Sequence, residues 1–223
     1  MMSRNAESRF AVNPTGLDMR RSKMSRNCSI KFSGNVGDII PFYVDEVLPG
    51  DTFSLKTSKI IRMQPLVCPI MDNIFADFYY FFVPSRLCWS HWREFCGENT
   101  ASAWIPQNEY TIPQLTSPVS TGWNVGTIAD YMGIPTGVAG LSVNAMPFRA
   151  YALICNEWFR DENLSDPLVI ATGDSTVAGS NGDTYVTDVA KGGKPYRAAK
   201  YHDYFPSEVS KMSVSCISPG TTA

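Results

Sequence analysis

The chain has 223 residues, of which 44% are hydrophobic and 12% aromatic, enough apolar material for a folded core and too much for a chain disordered throughout. It contains no run of eighteen apolar residues and its first residues, MMSRNAESRF, have no apolar stretch, so neither a membrane span nor a signal peptide is expected. The net charge of −2 is unevenly spread: residues 1–31 carry seven Lys or Arg against two acids, and residues 32–223 carry twelve against nineteen.

Residues 1–27 read as a basic extended arm. Arg4, Arg9, Arg20, Arg21, Lys23 and Arg26 are set among Pro14 and Gly16 without an apolar period. Such an arm can meet nucleic-acid phosphates or dock on a neighbouring subunit. Alternation then predicts strands over residues 28–32 and 39–47, with Pro41 placing the second at an edge. Leu48-Pro49-Gly50-Asp51 predicts a tight turn. Further extended pattern follows from Phe53 to Leu55 and from Lys59 to Met63, and Pro65 and Pro69 impose a loop.

From Ile74 to Val83 the residues are aromatic or β-branched apart from Ala76 and Asp77, which predicts a strand buried on both faces. Pro84 ends it, Ser85 is the expected cap, and a single helix is predicted through Cys96. Residues 97–125, rich in Gly, Asn, Thr, Ser and Pro with Trp104, Tyr110 and Trp123, predict a long surface excursion lying on the sheet or on another subunit. A short helix is expected over 127–132, closed by Gly133 and Pro135. A longer one is expected over 147–159, with Phe148, Tyr151, Ala152, Cys155, Trp158 and Phe159 on one apolar face. Ser180-Asn181-Gly182-Asp183 predicts a β-hairpin within 174–189.

Catalytic signatures are scarce. Gly192-Gly193-Lys194 lacks the earlier glycine of a phosphate loop, and Pro195 stands where a magnesium-binding Ser or Thr belongs. No GxSxG, HExxH or GxGxxG occurs. Cys155 with His202 is a conceivable nucleophile and base by residue type alone, and Asp161 with Glu162 reads as a solvated turn. Six scattered cysteines without a CxxC predict buried free thiols. Cys88, His91 and Cys96 come nearest to a metal pattern but lack a fourth ligand, so no metal and no cofactor is expected. Lys194, Tyr196, Arg197, Lys200 and Tyr201 mix cations with rings in the manner of single-strand binders, although a solvated face is the simpler reading.

Four segments in this order resemble the major capsid protein of microviruses, the small single-stranded DNA phages, and especially its gokushovirus branch. They are VLPGDTFSL (47–55), FYYFFVPSRLCWSHWREFCGEN (78–99), FRAYALICNEWFRDENL (148–164) and GGKPYRAAKYHDYF (192–205). The resemblance implies a mainly β fold, a viral jelly-roll β-sandwich with helical and long-loop insertions. It further implies a non-enzymatic structural subunit that joins copies of itself and other virion proteins in a small icosahedral shell around single-stranded DNA, with any DNA contact non-specific and no membrane. Its place would be the virion, and the host bacterial cytoplasm during assembly.

Members of that family are about twice as long or more. The chain therefore resembles an N-terminal portion whose barrel is incomplete, with residues 28–205 as that portion and 206–223 as an atypical, disordered tail such as a truncated or frame-shifted reading would leave. A β-sandwich binding module for carbohydrate or a host surface is the alternative.

Overall fold

The computed structural model describes residues 21–71, 73–99 and 108–198. The chain divides into two units, residues 1–31 and 32–223. In the first, residues 21–31 are exposed and irregular. The expected strand over 28–32 is therefore absent.

The second unit is organised on a small mixed sheet. Its central strand β1 (Gln114–Thr116) pairs antiparallel with β2 (Ser142–Asn144), Leu115 opposite Val143, and parallel with β3 (Val177–Ala178), Leu115 opposite Val177. Leu115 faces the core while Gln114 is exposed. Just past the strand, the buried Ser117 hydroxyl donates to the Val138 carbonyl at 2.8 Å and accepts the Leu141 amide at 2.9 Å, so no polar atom there is left without a partner. Thus residues 108–125, expected as a surface excursion, supply the middle of the sheet. Trp104 lies outside the described residues.

Helix α4 (Met146–Ile154) packs on this sheet, with Pro147 in its first turn as its fixed φ favours. Phe148, Tyr151, Ala152 and Cys155 are buried. At Cys155 the helix widens into a π-helical turn, Cys155–Phe159, while the Asn156 amide bonds both ways with the Leu168 backbone at 2.8 and 3.1 Å. Each residue of an α-helix advances about 100°, so one extra residue per turn swings the downstream side chains off the buried face. Trp158 is accordingly 71% exposed, against the expectation of one continuous apolar face.

The core rings are Trp123 and Phe148, stacked with centroids 6.1 Å apart. Gly192, at φ +79°, lies against both: a Cβ there would come within 2.9 Å of Trp123 and 3.1 Å of Phe148, so only glycine fits the site. The expected short helix forms as α3 (Ile128–Tyr131) with a reciprocal cap. Thr127 Oγ1 accepts the Asp130 amide, and Asp130 Oδ2 accepts the Gly126 amide.

Three further expectations are corrected. The single helix over 85–96 is two short ones, α1 (Ser85–Cys88) and α2 (Trp92–Phe95), and Pro84 rather than Ser85 is the cap. Between them Trp89 is extended (φ −146°, ψ 125°) and fully buried, its indole donating to Asp174 at 2.6 Å. A tertiary anchor overrides the helical period. The hairpin over 174–189 does not form either, because β3 pairs with β1 and residues Tyr185–Asp188 coil into α5, with the Asp188 carboxylate accepting the Thr184 amide. Asn181 is tied instead to Asn124 and Gly122 at 2.9 and 2.8 Å.

Finally, residues 39–83 form no ladder among the described residues. Their tie to the core is a bridge between Asp38 and Arg197, with the Ile39 amide donating to the Tyr196 carbonyl at 2.8 Å and the Tyr151 hydroxyl donating to the Ile39 carbonyl at 2.6 Å. The Leu48–Asp51 turn does form, Gly50 at φ +84° and the Asp51 amide donating to the Leu48 carbonyl at 3.1 Å. However, the strands expected over 39–47, 53–55, 59–63 and 74–83 are absent as hydrogen-bonded elements. Extended segments become strands only when a neighbour accepts and donates along their length, and among the described residues no backbone partner does so beyond Ile39.

Candidate functional site

Burial decides the fate of each chemical candidate. Cys155 is fully buried beside the Tyr151 hydroxyl, and burial pushes its thiol up to about 12. A thiol held neutral there is a poor nucleophile. His202, its expected base, lies outside the described residues. Asp161 caps a turn, accepting the Asn163 amide at 3.0 Å, as a solvated turn requires.

Around Trp89 the chain builds a polar clasp that the sequence did not announce. One oxygen of Asp174 accepts both the Trp89 indole and His91 Nδ1, at 2.6 and 2.9 Å, and the His91 ring lies flat on Tyr110 with centroids 4.6 Å apart. These donors hold the Asp174 carboxyl below its usual range. Behind it Arg149, 2% exposed on α4, donates to the carbonyls of Cys88 and Gly173 at 3.1 and 2.9 Å. Desolvation lowers the pKa of this guanidinium, which serves as a staple between α4, α1 and the 172–174 loop. Of the expected metal pattern, Cys88 is buried, Cys96 is exposed and His91 is engaged with Asp174. Among the described residues no three His, Cys, Asp or Glu side chains gather as ligands.

Thiols divide in the same way. Cys28, Cys68 and Cys96 are free and exposed rather than buried, Cys88 and Cys155 are free and buried, and Cys216 lies outside the described residues. In the basic-aromatic run, Tyr196 is buried in the core and Arg197 is paired with Asp38 at 3.3 Å. A buried ring cannot stack on a base. Lys200 and Tyr201 lie outside the described residues, as do Arg4, Arg9 and Arg20 of the arm. Arg21, Lys23 and Arg26 are exposed.

The site left to this chain is a surface. Residues 74–83 carry rings on both faces: Tyr79 and Phe81 meet Trp158 and Phe159 at centroid distances of 5.6 to 6.1 Å, while Phe78 and Tyr80 meet Phe42 at 5.9 and 5.8 Å. The alternation of odd and even rings is that of an extended chain. Lys59 places its ammonium 3.4 Å from the centre of the Phe78 ring. Even so, Ile60 and Phe75 stay 89% and 81% exposed, and Leu55, Ile61, Tyr79 and Phe82 are exposed too. So many exposed apolar side chains in one stretch of chain are characteristic of a segment awaiting a partner. The apolar residues expected together on one helix face separate here: Phe148 and Tyr151 are core, and Trp158 is surface.

Comparison with known proteins bears on which partner that is. The pattern of the family described as capsid protein (F protein) matches residues 14–215. Capsid protein VP1 of Spiroplasma virus 4 is 44% identical over 173 residues, covering 78% of this chain and 31% of that protein. VP1 of Bdellovibrio phage phiMH2K is 40% identical over 205 residues, 92% of this chain and 36% of that protein. VP1 of Chlamydia phage 1 is 43% identical over 212 residues, 90% of this chain and 35% of that protein. The chain thus spans only 31% to 36% of the length of these relatives.

Proposed function

The chain belongs to the capsid protein (F protein) family, and from that premise we propose that it is part of a major capsid subunit whose work is self-assembly. Its copies close, with other virion proteins, into the small icosahedral shell of a single-stranded DNA phage. The observation that carries this reading is the family match over residues 14–215, together with the apolar surface of residues 53–83 that a solitary protein would bury. In the complete subunit that surface completes a jelly-roll sandwich, and the remainder meets neighbouring copies. The arm of residues 1–27, with Arg4, Arg9, Arg20, Arg21, Lys23 and Arg26, faces a neighbour or the genome and touches DNA through phosphates only. The role is structural and not enzymatic, consistent with a Cys155 thiol held neutral. Its place is the virion, and the host cytoplasm while shells form; among the described residues no helix is long and apolar enough to cross a membrane.

Expression of the complete capsid gene containing this sequence tests the reading by sedimentation and electron microscopy. Closed, uniform shells are expected. A full-length chain that stays monomeric and binds immobilised glycans through its exposed rings would overturn it in favour of a carbohydrate-binding module.

A further inference from the structure

Helix α4 ends under two conflicting demands. Phe148, Tyr151, Ala152, Cys155, Trp158 and Phe159 recur at α-helical spacing, so the sequence asks for one apolar face throughout. In an α-helix Trp158 would stand about 60° from Cys155 around the axis, and the Phe159 amide would take the Cys155 carbonyl. The structure gives that carbonyl to the Arg160 amide instead, at 2.9 Å, which is the bond of a π turn. Such turns are rare, so specific contacts must hold this one.

Two sets of contacts do so, from different sides. On one side the Asn156 side chain accepts the Leu168 amide at 2.8 Å and donates to the Leu168 carbonyl at 3.1 Å, giving buried Leu168 the two bonds that a neighbouring strand would supply. On the other, Trp158 meets Phe81 with centroids 5.6 Å apart, and Phe159 meets Tyr79 and Phe81 at 5.6 and 6.1 Å. Side chains two positions apart on a helix point nearly opposite ways, so Asn156 and Trp158 grip different neighbours through one turn of backbone.

We propose that the end of α4 is a two-register switch: seating Tyr79 and Phe81 on Trp158 and Phe159, and clamping Leu168 with Asn156, favour the same π register and so strengthen each other. Loss of either contact lets the turn tighten to the α register that the apolar spacing prefers, with Trp158 moving toward the Cys155 side. The coupling is reciprocal, because both contacts bias one equilibrium. It also carries the state of the aromatic segment across the helix, since Leu168 leads straight to Val169, whose amide donates to the Val186 carbonyl of α5 at 2.8 Å.

Amide exchange followed by NMR, residue by residue, tests this in the 223-residue chain. Phe81→Ala should speed exchange of the Leu168 amide by at least about 5-fold, although the lost ring lies across the turn. The Ile128 amide, bonded to the Gly193 carbonyl at 2.7 Å, should exchange as before. An unchanged Leu168 rate would overturn the proposal, and so would an equal acceleration at Ile128, which would mean a general loss of stability. In the reverse direction, Asn156→Asp keeps an acceptor for the Leu168 amide and loses the donor to its carbonyl. Oxidative labelling of Trp158, 71% exposed in the π register, should then fall at least about 2-fold as the ring turns from solvent. Labelling that holds or rises would count against the switch. The Phe81 substitution leaves the core untouched, so it decides even where Asn156→Asp fails to fold. Deleting Glu157, exposed within the turn, leaves the Arg160 amide four positions from the Cys155 carbonyl and fixes the α register. In that background Phe81→Ala should leave the Leu168 rate unchanged, and a change there would sink the proposal by showing that Phe81 acts through another route.

Discussion

Residues 108–198 and residues 39–83 draw on the same classes of side chain and end in opposite states. In the first, Trp123, Phe148 and Leu115 are at most 1% exposed; in the second, Ile60 and Phe75 exceed 80%. The difference is one of partners. Leu115 lies between Val143 and Val177, so its backbone and its side chain are satisfied by the same neighbours. Residues 74–83 have ring contacts without ladder contacts, and residues 53–71 have few of either. An apolar pattern states a need for burial, and only a neighbour meets it.

That contrast can be broken by substitution. Trp123→Ala should cost about 3 to 5 kcal/mol in urea denaturation, because it opens a cavity against Phe148 and Gly192. A loss below about 1 kcal/mol would mean that residues 108–198 hold no rigid core. Arg149→Leu should cost about 1 to 3 kcal/mol, since it strips the donors from the buried carbonyl of Cys88 and from the carbonyl of Gly173. At the other end of the scale, Ile60→Ser should change the stability of this chain by less than about 0.5 kcal/mol while lowering light scattering at high concentration. A larger cost would show that residues 39–83 are already packed.

Alkali sharpens the same contrast by acting on the core alone. The Cys155 thiol ionises at about 12 in the folded protein, against about 8.5 in an unfolded chain. Its contribution to stability is complete below about pH 8.5 and is lost as pH climbs toward about 12, where the unfolded state has long released its proton. Burial raises the Tyr151 hydroxyl in the same direction. Thermal melts of the wild type should fall steeply above about pH 9, and Cys155→Ala should flatten that slope. Equal slopes would show that Cys155 is not sealed in.

Local chemistry was legible wherever neighbours in sequence are neighbours in space. The Leu48–Asp51 turn, the short helix over 127–132 and Pro147 opening α4 each depend on residues within a few positions of one another, and each forms. The four family segments likewise lie along the chain in order, and residues 14–215 match the family they suggested. Elsewhere tertiary contacts decided. The clasp of Trp89, His91 and Asp174 joins residues more than eighty positions apart, and no local pattern encodes it. It breaks a helix whose spacing looked continuous, because burying and pairing one indole outweighs the propensity of a few residues. The widening at Cys155 turned Trp158 outward, and a parallel partner took β3 out of its expected hairpin. The amino-acid order thus settled the Leu48–Asp51 turn, the opening of α4, the charge of the arm and the family, each set by short-range geometry or by residue identity alone. Which extended segments became strands, and which rings were buried, waited on the rest of the fold, because a ladder and a core exist only between segments that the fold brings together.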